Sequence, residues 1–404
     1  MQHTAVLVFV LVYLGMFLGR LPGLALDRAG VALLGTLVLL VSGTLTPAEA
    51  WAAADVTTLG LLFGLMVVSA QLRLGGFYSK VTHWLAEARF GPPWILALVV
   101  GVSGALSALL ANDVVCLAMT PMLVEGCARR RLNPTPFLLG LACAANVGSA
   151  ATLIGNPQNM LIGQTLDLSF LGYLRDGGVP AVLGLGVVWA VVAWVYRRRW
   201  QGELPVPQVS APADNPWQTA KGLVVLGVLV VLFLATDWPR EVIALGGAAV
   251  LLCSRRTASR QFLALVDWNL LVLFFGLFVV NRAISAAGAL AVAENALRGA
   301  GVDLAHPGWL FAVTPLLSNL VSNVPATMLL LPSATTPLAG AVLALASTLA
   351  GNLLLVGSIA NLIVAEQAAP LGVVLGWREH ARVGIPVTLL TLALAGGWLA
   401  WLHG

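Results

Sequence analysis

Apolar blocks long enough to cross a bilayer recur along the whole chain, at about 5–20, 29–45, 56–72, 93–128, 136–165, 178–196, 219–236, 241–254, 267–281, 307–336, 337–365 and 382–403. A spanning helix needs about 20 apolar residues, and helices satisfy their own backbone groups in lipid. The chain is therefore an all-α polytopic membrane protein. Only 9% of its 404 residues are charged, against roughly 25% in a soluble domain. The first block resembles a signal-peptide core, but Arg20, Leu21, Pro22 and Gly23 offer no small-x-small cleavage site, so it reads as a retained first span. Cys116, Cys127, Cys143 and Cys253 have no CxxC spacing and read as small buried hydrophobes.

Two blocks, 93–128 and 307–336, are broken near the middle by polar residues, and an internal duplication explains why there are two. Val31-Ala32-Leu33-Leu34-Gly35 matches Ile243-Ala244-Leu245-Gly246-Gly247, and Asp55 through Val68 matches Asp267 through Val280, both at an offset of 212. Ser107, Asn112 and Pro121 fall on Ser318, Asn323 and Pro332 at 211; Leu153-Ile154-Gly155 with Asn159 falls on Leu355-Val356-Gly357 with Asn361 at 202. Four alignments in order with coincident polar breaks indicate duplication. The first repeat covers 1–200, with a hairpin at 93–128 and a broken helix at 136–165. The second covers 219–404, with a hairpin at 307–336 and a broken helix at 337–365. A Pro-rich cytoplasmic linker, 201–218, joins them.

If each hairpin enters and leaves on one side, each half crosses five times and the second is inverted relative to the first. With the N-terminus outside, the cytoplasmic face receives Arg20, Arg28, Arg73, Lys80, Arg89, Arg129, Arg130, Arg131, Arg197, Arg198, Arg199, Lys221, Arg255, Arg256, Arg260, Arg378 and Arg382. Arg175, Arg240, Arg282 and Arg298 fall outside, a split of 17 against 4 that satisfies the positive-inside rule. This predicts about ten crossings and two hairpins in a cell inner (plasma) membrane, with both termini outside. Trp51, Trp94, Trp200, Trp217, Trp238, Trp268 and Trp309 sit near span ends as an aromatic belt, and Gly75 to Trp84, with a counterpart around Ala287-Gly288, reads as an interfacial arm before each hairpin.

Non-helical backbone at membrane depth survives only where it is buried in protein or lines a cavity. The tips Ala111-Asn112-Asp113 and Ser322-Asn323-Val324-Pro325, and the breaks Gly155 to Asn159 and Gly357 to Asn361, each combine a helix breaker with amides or hydroxyls. Each such side chain could simply cap a helix, but capping gives no reason for four interruptions at related positions inside a membrane. Helix N-termini offer N–H donors to an anion and C-terminal carbonyls suit a cation. The expected substrate contacts are Asn112, Asn156, Asn159, Ser322, Asn323, Ser358 and Asn361. The expected cation contacts are Asn112, Asp113, Gly155, Asn323 and Gly357, with Na⁺ at Asp113 as the metal. Asp113 is the one carboxylate deep in these segments, and a charge at the bilayer centre costs about 2.5–3.5 kcal/mol even on the lenient scale. None of the five histidines falls in an apolar core, and no HExxH motif or second buried acid suggests an intramembrane enzyme.

The motifs Ala111-Asn112-Asp113, Ala151-Thr152-Leu153-Ile154-Gly155-Asn156-Pro157-Gln158-Asn159, Ser322-Asn323-Val324-Pro325-Ala326 and Gly351-Asn352 through Val364 resemble those of the ion transporter superfamily. That group includes arsenite-efflux permeases, Na⁺/H⁺ antiporters and divalent anion/Na⁺ symporters, and the second-half motifs look most like its small anion permeases. The resemblance implies a homodimer, a scaffold domain and a mobile domain that carries the hairpins in an elevator motion. Ala111, Asp113 and Val324 depart from the paired Ser-Asn-Thr tips of the symporters, which argues against a dicarboxylate. The expectation is a secondary active transporter of a small anion or oxyanion coupled to Na⁺ or H⁺, with no other cofactor and no nucleic-acid partner. A Na⁺/H⁺ antiporter and an arsenite-efflux permease are the alternatives.

Overall fold

A computed structural model describes residues 2–19, 25–87, 89–207, 215–254 and 257–403. Arg20, Arg255, Arg256 and the linker residues 208–214 lie outside the described residues, so the predicted sidedness of those three arginines and the middle of the linker are not placed. The first half forms α1 (Gln2–Leu18), α2 (Arg28–Val41), α3 (Pro47–Ala53), α4 (Val56–Leu74), α5 (Phe77–Glu87), α6 (Pro92–Leu109), α7 (Asn112–Arg129), α8 (Thr135–Ser149), α9 (Pro157–Thr165) and α10 (Phe170–Val195). The second forms α11 (Pro216–Ala235), α12 (Arg240–Leu252), α13 (Ser259–Leu263), α14 (Trp268–Ala286), α15 (Ala289–Gly299), α16 (Pro307–Val321), α17 (Asn323–Leu330), α18 (Pro337–Ala350), α19 (Ile359–Ala368) and α20 (Trp377–His403).

The helix starts reproduce the offsets of the sequence. Arg28 and Arg240, Phe77 and Ala289, and the ends Glu87 and Gly299 are each 212 apart; Asn112 and Asn323 are 211 apart; Pro157 and Ile359 are 202 apart. Capping follows the same register. Asp55 accepts from the Thr58 N–H to start α4, and Asp267 accepts from the Leu270 N–H to start α14. The fold is thus two inverted repeats, each with a hairpin (α6–α7, α16–α17) and a broken helix (α8–α9, α18–α19).

The halves exchange partners. A Cβ built on Gly64 of α4 would lie 2.7 Å from the Ala244 carbonyl carbon on α12, and one on Gly276 of α14 would lie 2.8 Å from the Ala32 carbonyl carbon on α2. Each half's fourth helix therefore packs backbone to backbone on the other half's second, which only glycine permits.

Among the described residues six helices are long and apolar enough to cross a membrane: α4, α6, α10, α11, α14 and α20. Shorter apolar helices, α1, α2, α8, α16, α18 and α19 among them, fill the rest. Several boundaries differ from expectation. The span placed at 178–196 begins at Phe170 and the one placed at 382–403 begins at Trp377, because the opening turns, which carry Arg175 and Asp176 in one and Arg378 and Glu379 in the other, are helical although charged. The second hairpin is lopsided: α17 has 8 residues and runs into a tight turn at Leu331–Ser333 where α7 continues to Arg129. Cys116, Cys127 and Cys143 are buried, but Cys253 is exposed at the end of α12, so the reading of all four as buried fails there.

Candidate functional site

Each hairpin tip docks on the break of its own half. The Asn112 N–H donates to the Gly155 carbonyl at 3.2 Å, and the Asn323 amide, with its nitrogen turned to the carbonyls, donates to Gly357 at 3.2 Å and to Ser347 at 3.1 Å. Gly155 and Gly357 are the corresponding residues of the two breaks. A Cβ on Gly155 would meet the Ser149 carbonyl oxygen at 2.3 Å and the Ser107 carbonyl oxygen at 2.7 Å, and one on Gly357 would meet Asn319 Oδ1 at 2.6 Å. The glycines leave room for the Ser149 and Ser107 carbonyls in the first half and for the Asn319 side chain in the second.

The break asparagines hold the unwound backbone. Asn159 Nδ2 donates to the carbonyls of Thr152 at 3.0 Å and Ser149 at 3.4 Å, and Asn361 Nδ2 to those of Leu354 at 3.3 Å and Gly351 at 2.8 Å. These are the same bonds at the 202 offset. Asn156 caps α9 by accepting from the Asn159 N–H at 2.9 Å, and its amide donates to Ser149 Oγ at 2.9 Å and Thr348 Oγ1 at 3.2 Å. Asn156, Asn159 and Asn361 are all buried.

Residues that the sequence reading passed over join the halves. Asn146 Nδ2 donates to Asn361 Oδ1 at 3.1 Å and to Asn352 Oδ1 at 2.9 Å, while Asn146 Oδ1 accepts from Ser358 Oγ at 2.9 Å and from Asn112 Nδ2 at 3.2 Å. Thr348, which corresponds to Asn146, donates to Asn159 Oδ1 at 3.2 Å. Each break asparagine thus bonds the other half's preceding helix. Asn146 and Thr348 at one offset in two apolar blocks was the available clue. His380 was misplaced by the sequence reading: it is buried, and its Nε2 lies 2.9 Å from the Asn352 carbonyl, because α20 starts early enough to carry it into the core.

Free donors are unequally shared. At the first tip the Asn112 N–H is held by Gly155, the Asp113 N–H by Asn112 Oδ1 at 3.0 Å and the Val114 N–H by the Ala111 carbonyl at 3.1 Å. None of α7, α17 and α19 has a side-chain N-cap, so the difference lies in the bonds that hold the first tip's own N–H groups. Ser322 has φ 79, a left-handed conformation rare for serine, which aims the first turn of α17. Tip and break meet here, since a Cβ on Gly351 would lie 2.9 Å from the Asn323 side-chain amide and 3.2 Å from Ser358 Cβ. The residues that crowd the break glycines, Ser107 beside Gly155 through its carbonyl and Asn319 beside Gly357, each carry a buried side-chain oxygen with no partner among the described residues.

Asp113 is half-buried and lines a cavity of about 70 Å³ with Met66, Ser69, Arg73, Leu117, Asp267 and Ile363. A second cavity, about 290 Å³, is lined by Asp55, Leu161, Phe278, Asn281, Met328 and Pro332. The two correspond through the repeat, as Met66 and Phe278, Ser69 and Asn281, Leu117 and Met328, Ile363 and Leu161, and Asp267 and Asp55 show. Both lie between α4 or α14 and the hairpin and broken helix. Among the described residues no group of three or more His, Cys, Asp or Glu could hold a metal ion.

Two inverted halves that bring paired tips onto paired breaks inside a membrane define a polytopic transporter. Residues 9–343 match the model of the citrate transporter family, CitMHS, and the chain belongs to that family, within the ion transporter superfamily its motifs resemble. It is similar to the silicon efflux transporter LSI3 of Oryza sativa subsp. japonica, 29% identical over 92% of each chain. It is also similar to a 46 kDa membrane protein of Mycobacterium leprae, 28% identical over 100% of this chain and 99% of that one. Among solved structures, the YdaH transporter of Alcanivorax borkumensis shares the fold with a TM-score of 0.57 at 15% identity, over 99% of this chain and 98% of that one.

Proposed function

We propose that this chain is a secondary active transporter of a small oxyacid or its anion, coupled to H⁺ or Na⁺, with the substrate held on the second-half side and the coupling ion on the first. The observation that carries this reading is the asymmetry of an otherwise duplicated site. Uncapped helix N-termini converge where Ser322 and Asn323 meet Ser358, whereas the carboxylate, Asp113, belongs to the first tip, whose own N–H groups are taken. Free N–H donors and hydroxyls suit oxygen-rich anions, and a carboxylate that shares its cavity with Asp267, the Ser69 hydroxyl and Arg73 suits a hard cation or a proton. Asn112, Gly155 and Ser107 complete the cation side; Asn319, Asn323 and Gly357 offer a second, neutral place. Asn156, Asn159 and Asn361 keep the backbone carbonyls in position and act on the substrate through that frame.

A small oxyacid agrees with a relative named for silicon efflux, and the family name makes citrate the comparison substrate. The neutral Val324 and Ala111 at the tips favour a compact ligand over a tricarboxylate. The cavities on either side of the site support alternating access by movement of the hairpin body against α1, α2, α4, α11, α12 and α14, with the wider one facing outside under the positive-inside orientation and both termini outside. A homodimer joined through that scaffold follows from the resemblance. Proteoliposomes loaded with silicic acid, arsenite, phosphate or citrate, under Na⁺ and pH gradients imposed separately, test the reading. Gradient-driven flux of a small oxyacid supports it; citrate-only flux, or proton movement driven by Na⁺ without any substrate, overturns it.

A further inference from the structure

At the foot of α10 the chain turns through Arg197, Arg198 and Arg199, and the first turns of α20 bring Arg382 beside them. Together with Trp194 and Val195 these residues line an open hollow of about 380 Å³. All four arginines are exposed, and none has an ion-pair partner among the described residues. Trp194 is 68% exposed and carries the Arg197 guanidinium 5.1 Å above its ring. One turn from the hollow, Arg378 repeats this arrangement, 5.2 Å over the exposed Trp377. Glu379, on the same turn of α20, does not line the hollow.

We infer that this hollow binds the phosphate headgroup of an anionic phospholipid of the cytoplasmic leaflet. Guanidinium forks match phosphate oxygens in pairs. The exposed indoles belong at the headgroup level, where α10 ends its apolar run. Topology alone needs basic residues on this face, but it does not need guanidinium groups from two helices, nearly 200 residues apart in sequence, around one cavity. The lipid would sit against the helices that brace the two breaks. Tyr173 of α10 accepts from Asn159 Nδ2 at 3.1 Å, and His380 of α20 meets the Asn352 carbonyl.

The full-length protein in phosphatidylcholine nanodiscs, titrated with fluorescent phosphatidylglycerol, tests this. Wild type is expected to retain the anionic lipid over labelled phosphatidylcholine, and Arg382→Gln and Arg198→Gln are each expected to lower that retention about fivefold. Arg298→Gln, at the opposite face, serves as control, and thermal melting of each variant reports folding. Equal retention of the two lipids by wild type, or unchanged retention in both folded variants, would overturn the assignment. So would complete displacement of the label by millimolar inorganic phosphate, which would make this a site for the free ion.

Discussion

Asp113 and Val324 stand directly after the central asparagines of the two tips, and only one of them can ionise. The glycines beneath those asparagines are the least replaceable residues in the pair. Gly155→Ala would drive a methyl into two carbonyls and Gly357→Ala into the Asn319 amide. Each change should cost about 1–3 kcal/mol, with Gly155→Ala the worse because backbone yields less than a side chain. Thermal unfolding in detergent, read against wild type, checks both the loss and the order. Ser358→Ala removes a hydroxyl bonded to Asn146, worth about 1 kcal/mol. It should leave melting nearly unchanged while raising the KM for the transported oxyacid; an unaltered KM would take Ser358 out of the substrate site.

At the scale of elements, the broken helices are held by the opposite half. Asn146→Ala would leave Asn112, Ser358, Asn352 and Asn361 each short of a partner, and buried groups so stranded cost about 1–3 kcal/mol each. It should therefore destabilise more than Asn156→Ala, which loses an N-cap worth about 1 kcal/mol and two bonds to the hydroxyls of Ser149 and Thr348, both of which keep other partners; the reverse order in denaturation experiments would contradict the bridging role. This is also where the sequence stopped being informative. The breaks at Gly155 and Gly357 could be read because polar residues interrupt apolar blocks at matching offsets. Asn146 and Thr348 offered only their shared offset, because a lone polar residue in an apolar run gives no sign of which partner, some 200 residues away, it bonds. His380 escaped because it lies in a charged turn that is buried only when α20 docks. Capping and function were posed as alternatives for Asn156, yet it caps α9 and bonds Thr348 across the repeat at once.

At the scale of the molecule, duplication gives two cavities and two docking sites, and departures from duplication give direction. Inverted insertion predicts that a single cysteine at Arg131, below the first hairpin, and one at Ser333, below the second, react with membrane-impermeant maleimide from opposite sides of sealed vesicles. Labelling from one side would make the repeats parallel. Gly64→Val and Gly276→Val should weaken the molecule to a similar extent, since each meets the same alanine backbone of the opposite half. Legible from sequence were the repeat, the hairpins and the acid; the unequal supply of free N–H donors was not, because it depends on which carbonyl each tip amide finds.

The central claim is that the coupling ion binds at Asp113 while the substrate binds mainly on the other half. Its most direct test is oxyacid flux through Asp113→Asn in proteoliposomes, with the Na⁺ and pH gradients imposed one at a time. The account predicts that substrate still equilibrates across the membrane while neither gradient drives accumulation. Accumulation at the wild-type level under either gradient would contradict it.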